Sequence, residues 1–321
     1  MIISVIFPAY NEEGNLPVLF KRLVAVAEQV EQCSFEFIFV DDYSTDRTPA
    51  ILTQLRAQDP RVQIIRLARN CGSHAAIDAG LKFCNGDAAI VLAADLQDPP
   101  EIIPCLLEQW QKGFKTVWAV REKRGGENFI TRICSKVFQF LMNILTDVHL
   151  PAEADAFLTD RVVIKALEVT PEKNSEICML IAWLGFSQTN ITYIQEPRYS
   201  GVSKWTLSKR LKLFYDSLIS FSYTPLRLMS TMGAILATIG LIYGVDILIA
   251  YLMGNSAIAG WASLMIVVLI IGGFQMCMMG ILGEYLWRTY DETRGRPKYV
   301  IEKNTLLESE QVKGSEKISA R

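Results

Sequence analysis

The stretch "IVLAADLQDPPE" (Ile90 to Glu101) joins an apolar run to an aspartate, an amide and a second aspartate, and two prolines then stop the chain. Asp95 and Gln97 are one residue apart, so on an extended strand end both side chains reach the same side. Carboxylate and amide oxygens are hard ligands that select Mg2+ or Mn2+, ions that also bind substrate phosphates. Ala93 stands two residues before Asp95, where a second carboxylate would complete an acidic pair. Further polar clusters recur along the first part of the chain: Asn11, Glu12 and Glu13; Asp41 and Asp42; Arg69 and Asn70; Asp95 and Asp98; Arg121 and Arg124. No GxGxxG turn or GxxxxGK[ST] loop accompanies them, so the usual dinucleotide and P-loop devices do not apply. The clusters suit a nucleotide held by side chains, its diphosphate neutralised by a divalent ion. His74 and His149 lie far apart and offer no pair for zinc.

These residues must be positioned by regular elements. From residue 1 to about 120, β-rich runs ("IISVIFPAY", "FEFIFVDD", "VQIIRLA", "AAIVLAAD", "KTVWAVRE") alternate with runs of helical spacing ("LPVLFKRLVAVAEQV", "TPAILTQLRAQ", "HAAIDAGLKFC", "EIIPCLLEQWQKG"). Such alternation predicts an α/β fold, a parallel sheet flanked by helices, with ligands bound at the carboxyl ends of the strands. Every polar cluster falls at such an end. The N-terminal "MIISVIFPAYNEE" lacks a basic n-region and reads as a buried first strand, which leaves the first domain in the cytoplasm.

The remaining sequence changes character. Half of the 321 residues are hydrophobic, and the excess lies towards the C-terminal third. Leu228 to Met253 and Ile258 to Leu282 are each long enough to cross a hydrocarbon core of roughly 30 Å. Only Asp246 interrupts the first. Basic residues flank the pair on its outer sides (Lys209, Arg210, Lys212 and Arg227; Arg288, Arg294, Arg296 and Lys298), and the connector around "GNSA" carries no charge. The positive-inside rule then predicts a two-helix transmembrane hairpin with both termini in the cytoplasm. "SKWTLSKRLKLFYDSLISF", with Leu207, Leu211, Phe214, Leu218 and Phe221 on one stripe, suits a helix in an anionic membrane interface. The predicted organisation is a nucleotide-binding core over 1–150, a membrane-interface segment over 151–225, the hairpin over 226–285 and a tail over 286–321. The tail after about Glu302 is polar and without periodicity, a composition that does not order itself. A formal charge of −2 gives nucleic-acid binding no support, and seven scattered cysteines without a CxxC pair read as reduced thiols.

"FPAYNEEGNL", "VDDYSTDRT", "RNCGSHAAIDAG", "ADLQDPPE", "VREKRGGE", "YSGVSKW" and "GEYLWRTYDETRGRPKY" occur in this order. Together they resemble the family 2 glycosyltransferases that charge a polyprenyl phosphate with one sugar. That group includes bactoprenol glucosyltransferases, undecaprenyl-phosphate aminoarabinose transferases and dolichyl-phosphate mannose synthases, and the likeness runs from residue 2 to about 300. The resemblance implies a GT-A domain, a Rossmann-like binder of nucleotide-diphosphate sugars, and inverting transfer at the inner face of the cell membrane. It implies that Pro8, Tyr10, Glu12 and Asp42 hold the base and ribose. Asp95 and Gln97 match the metal and diphosphate motif, for Mg2+ or Mn2+. Arg121, Arg124 and Glu127 match the loop beside the reaction centre, and Asp155 matches an acidic position of the family's "GDFRL" segment. Arg198, Ser203 and Lys204 match an "R..G.SK" segment that meets phosphate at the membrane face. Two positions depart from the pattern. The usual DxD is Ala93-Ala94-Asp95, and the usual "GDFRL" is Ala154-Asp155-Ala156-Phe157-Leu158, without its arginine.

A lipid phosphate monoester is ionised near neutral pH, so the acceptor needs no strongly perturbed general base. The enzyme must hold two anions together and stabilise the departing nucleoside diphosphate. Arg121, Arg124, Arg198, Ser203 and Lys204 are the candidates for acceptor phosphate, and Asp95, Asp155, Arg121 and Lys204 for the reaction itself. A catalytically silent membrane-anchored homologue that recruits partners is the alternative reading. A processive polysaccharide synthase is disfavoured, because two spans cannot readily form a translocation pore. The sugar and the state of assembly, homo-oligomer or monomer, are not encoded in these motifs.

Overall fold

A computed structural model describes residues 1–122, 156–170, 172, 176–197, 199, 224–253 and 260–306. The chain divides into two compact units, Met1–Phe214 with Pro297–Arg321, and Tyr215–Arg296.

The first unit is built in the order β1 (Ile2–Ala9), α1 (Leu16–Gln29), β2 (Ser34–Asp41), α2 (Thr48–Gln58), β3 (Val62–Leu67), α3 (Ser73–Phe83) and β4 (Ala88–Val91). A short 3-10 turn (Pro100–Ile102) leads to α4 (Ile103–Gln111) and β5 (Thr116–Arg121). Then follow β6 (Ala156–Asp160), α5 (Arg161–Glu168), α6 (Ile177–Trp183) and β7 (Gln188–Tyr193). After the second unit, β8 (Ile301–Asn304) closes the series. The sheet order is β7-β5-β6-β4-β1-β2-β3-β8.

β1 sits at the centre because Ile3, Val5, Ile6 and Phe7 bury both of its faces, as strands covered by helices on each side require. Phe7 stacks on Phe39 of β2 with ring centroids 5.0 Å apart. In α1, Pro17 fits the first turn, and Leu16, Leu19, Leu23, Val26 and Ala27 recur at helical spacing to face the core. Gly80 lets α3 approach the sheet: a Cβ there would lie 2.3 Å from Ile6 Cγ2.

The strands expected from the sequence pair as a parallel set over β4, β1, β2 and β3. The sheet as a whole is mixed, which corrects the expectation of a parallel one. β6 inserts antiparallel between β4 and β5, and β8 adds antiparallel to the edge of β3. β6 escapes the sequence reading because "AFLTD" is a short run buried on both faces, with no alternation to mark it. Its last residue, Asp160, caps α5 by accepting the Val162 N–H at 2.9 Å, and also receives Trp110 Nε1 at 2.8 Å and Lys115 Nζ at 2.9 Å.

The tail is ordered further than its composition suggests. β8 pairs with β3, and Thr305 Oγ1 accepts the Ile64 N–H at 2.8 Å and donates to the Ile64 carbonyl at 3.2 Å. The unpaired edge of β3 supplies the order that the tail lacks by itself. Six cysteines among the described residues are free, as expected.

The second unit holds α7 (Thr224–Leu252) and α8 (Trp261–Thr293). Within α7, Leu226–Ile247 is the one stretch among the described residues that is long and apolar enough to cross a membrane by length and composition. Its apolar side chains, including Leu236, Ile239 and Ile242, are exposed. The second span expected over Ile258 to Leu282 has no such match among the described residues.

Candidate active site

The carboxyl ends of β4, β1 and β2 lie side by side, so the loops that follow them share one edge of the sheet. Pro8, near the end of β1, and Tyr10 and Glu12, just after it, are partly exposed there. Asn11 takes a left-handed backbone, φ 54°, that turns the chain outward. Its N–H donates to Ser44 Oγ at 2.9 Å, and its Oδ1 accepts the Thr45 N–H at 2.8 Å. The Glu12 N–H donates to Thr48 Oγ1 at 2.9 Å, and Asn15 Nδ2 donates to the Glu12 carboxylate. The β1 and β2 loops are thus laced into one surface.

The two acids after β2 do different work. Asp41 is 1% exposed; it accepts the Ser44 N–H at 2.9 Å and an ion pair from Arg66 at 2.6 Å. Arg66 also reaches Glu302 of β8 at 2.8 Å and lies 5.4 Å from the ring centre of Tyr43, itself at φ 63°. Asp42 accepts the Cys71 N–H at 2.6 Å and the Gly72 N–H at 2.8 Å, one on each oxygen. It therefore shapes the loop before α3. Burial raises its carboxyl above the usual range, opposed by those two amides.

Beside this surface lies the loop after β4. Asp95 is 7% exposed, and Gln97 is partly exposed. The segment is a turn, which corrects the extended geometry expected from the one-residue spacing. Leu96 sits between them at φ 65° with its side chain buried, and the Gln97 N–H donates to Asp95 Oδ1 at 3.1 Å. A buried leucine in the left-handed region is held there only by its surroundings. Next along, Asp98 is 2% exposed; its Oδ2 accepts the Ala93 N–H at 3.3 Å and its Oδ1 accepts the Tyr193 hydroxyl. Burial raises the Asp98 carboxyl, against the pull of Tyr193 and Arg121. The Tyr193 hydroxyl is pushed up by burial and by Asp98, while a hydrogen bond with Arg121 draws it down. Arg121, at the end of β5, thereby joins the group.

The outer side of the loop is tied to the segment that follows β7. The Glu196 N–H donates to the Gln97 carbonyl at 3.1 Å. Arg22 of α1 forks across Glu101, at 2.9 and 2.7 Å, and Glu196, both bonds 2.8 Å. Paired with two carboxylates, its guanidinium is held even more firmly in the charged form.

The structure therefore gathers Pro8, Tyr10, Glu12, Asp42, Asp95 and Gln97 at the ends of adjacent strands and on the loops after them, with Arg121 at Tyr193 and Asp98. Arg124, Glu127, Asp155, Arg198, Ser203 and Lys204 lie outside the described residues. Sequence reasoning missed Tyr193, Arg22 and Glu196, because their partners are distant in the chain. A divalent ion is tested only by the donor set. Among the described residues, no group of three His, Cys, Asp or Glu side chains could hold one alone. Asp95 and Gln97 do offer hard oxygens, which fits an ion that completes its shell with phosphate and water.

A family model, "Glycosyl transferase family 2", matches residues 4–164. The chain is 38% identical over 310 residues to "Uncharacterized glycosyltransferase YkcC" of Bacillus subtilis (strain 168), covering 96% of each. It is 34% identical over 304 residues to "Prophage bactoprenol glucosyl transferase homolog" of Escherichia coli (strain K12), covering 94% of this chain and 99% of that one. Among solved structures, glucosyl-3-phosphoglycerate synthase from Mycobacterium tuberculosis, in complex with Mn2+, UDP and phosphoglyceric acid, matches with a TM-score of 0.47 and 18% identity. The match covers 68% of this chain and 76% of that one. The chain belongs to glycosyl transferase family 2. It is a glycosyltransferase with a Rossmann-like GT-A domain.

Proposed function

We propose that this glycosyltransferase moves one sugar from a nucleotide-diphosphate sugar to a polyprenyl phosphate, undecaprenyl phosphate by preference, at the cytoplasmic face of the cell membrane, with inversion. The observation that carries the reading is the near full-length likeness to the bactoprenol glucosyl transferase homolog, which includes the segment beyond the catalytic sheet. The shared edge of β4, β1 and β2 supports the donor half. In this reading Pro8, Tyr10, Glu12 and Asp42 receive the nucleoside. Asp95 and Gln97 would hold Mg2+ or Mn2+ at the diphosphate, where the ion's chemistry is neutralisation of the leaving group. Arg121, with Arg124, Arg198, Ser203 and Lys204, brings the acceptor phosphate to the anomeric carbon, and Asp155 and Lys204 complete the reaction centre.

Chain connectivity supports the hairpin. β8 belongs to the same sheet as β1 to β5, so residues 301–304 lie on the same side of any membrane as residues 2–121. A chain that leaves that side through Leu226–Ile247 must cross again before residue 301. The only later helix before β8 among the described residues is α8, whose sequence "MIVVLIIGGF" is apolar. On this reading a second span falls within 258–282 and both termini are in the cytoplasm.

The test is a screen of labelled nucleotide sugars against undecaprenyl phosphate, with mass spectrometry of the lipid. A single added hexose on the lipid phosphate supports the reading. No product with any donor, from a protein that still binds nucleotide, favours the silent homologue.

A further inference from the structure

The loop that offers Asp95 and Gln97 has features that pull against order. Leu96 is in the left-handed region, where a residue with a Cβ is disfavoured. With Ala93 in place of an acid, the protein contributes few oxygens to an ion that demands near-octahedral geometry. A site with few ligands depends on how well those ligands are held in place before binding. A buried restraint reaches this loop from outside it: the bond from the Tyr193 hydroxyl, at the end of β7, to the Asp98 carboxylate. Asp98 in turn holds the Ala93 amide, so both flanks of the Asp95–Gln97 turn are fixed through one carboxylate. Tyr193 is itself locked: its carbonyl accepts the Glu122 N–H at 2.7 Å, and its hydroxyl also meets Arg121.

We propose that Tyr193 and Asp98 are a positioning pair for donor binding. Their bond sets the Asp95–Gln97 turn so that its oxygens meet a metal–diphosphate in a single geometry. This rests on the donor reading given above. Neither side chain need touch substrate; the pair acts through the turn. The same turn is tied to the chain that follows β7 by a separate bond, from the Glu196 N–H to the Gln97 carbonyl.

The experiment uses the full-length protein in detergent. The parent is titrated with UDP, GDP, CDP, ADP and dTDP, each with and without Mn2+, followed by calorimetry and Mn2+ electron paramagnetic resonance. The tightest diphosphate and its monophosphate then become the probes. Tyr193→Phe keeps the ring and removes the hydroxyl. It is expected to weaken Mn2+-dependent diphosphate binding roughly tenfold, the loss typical of one hydrogen bond to a charged group. Monophosphate binding, read mainly by the nucleoside contacts, should change by less than about twofold, below the worth of one neutral hydrogen bond. Asp98→Asn, which still accepts the hydroxyl, should retain more diphosphate affinity than Asp98→Ala. A bond that serves stability alone would lower the melting temperature and leave the diphosphate-to-monophosphate ratio at the parental value, and that result overturns the proposal. Equal weakening of both probes overturns it too. A parent that binds no diphosphate in a Mn2+-dependent way refutes the donor reading and the pair's role together, whereas an intact parent with an unaffected Tyr193→Phe refutes the pair alone.

Discussion

Leu96 provides a test of the loop geometry that offsets a common rule. Its side chain is 2% exposed and its φ is 65°. Leu96→Ala replaces the buried isobutyl group with a methyl and keeps the left-handed strain; core truncations of this kind cost about 2–5 kcal/mol. Leu96→Gly removes the methyl as well and releases the strain, worth about 1–2 kcal/mol for a residue with a Cβ. Against this, glycine loses about 0.4–1 kcal/mol through the greater freedom of its unfolded chain and about 0.8 kcal/mol with the buried methyl. The balance leaves the two variants within about 0.5 kcal/mol of each other, whereas at a buried position of negative φ glycine is the poorer by about 1–2 kcal/mol. For a domain of this size that larger difference is about 4 °C in melting temperature. Both variants are therefore melted in the same detergent, with parental protein in every run. Both fall below the parent, and Leu96→Gly melts within about 2 °C of Leu96→Ala. A glycine variant that melts about 4 °C or more below the alanine one refutes the left-handed strain. An alanine variant within 1 °C of the parent would refute the burial.

Asp95→Ala should reduce sugar transfer by roughly a hundredfold or more, the scale of losing one electrostatic contact to developing charge, while circular dichroism stays parental. Ala93→Asp should shift half-maximal activation to lower Mn2+, and metal-independent transfer by the parent would defeat this reading of the loop. In a cysteine-free background, Ser309→Cys should react only with reagent that has entered the cytoplasm, and Ser256→Cys with reagent added outside; outside labelling at position 309 sinks the hairpin. His74 is held down to about 4 by burial and by Lys298, although Glu176 Oε1 stands 3.8 Å from its Nε2. The unfolded chain takes its proton near 6.5, so between that pH and about 4 the unfolded state gains protons that the folded state refuses. Stability should fall by about 1–3 kcal/mol across this window on acidification, and His74→Gln should flatten the fall.

The parts of this fold that were readable in the sequence are those whose signal is local. β1 to β4 announce themselves because each is an apolar run ending in acids or amides, followed by a helix-spaced segment. β6 and β8 do not, since each borrows its order from a neighbour: β6 from β4 and β5, β8 from the open edge of β3 and the Arg66–Glu302 pair. The same division runs through the site. That Asp41 and Asp42 sit at a strand end follows from pattern. That Arg66 claims Asp41, while Asp42 shapes the loop before α3, follows only from the tertiary structure.

Asp95 and Gln97 show how far a residue-level reading reaches. Their chemistry is legible from residue type, and Ala93 is legible as a missing carboxylate. Their geometry is not, because the residue that turns the loop is a leucine rather than the glycine or asparagine that would signal a positive φ. An apolar residue at such an angle leaves no mark in composition or periodicity. It is kept there by burial and by Asp98, whose partner Tyr193 is 95 positions away. Whether the absent acid at position 93 disables the loop therefore depends on contacts that no local motif contains. A turn fixed on both flanks can present two oxygens in register with a diphosphate, and the phosphates and water supply the rest of an ion's shell. A turn free to relax could not, even with the second acid restored. On this reasoning the Ala93→Asp gain should be large in Tyr193→Phe protein only if Tyr193 is dispensable. If the pair positions the loop, adding the carboxylate there recovers little.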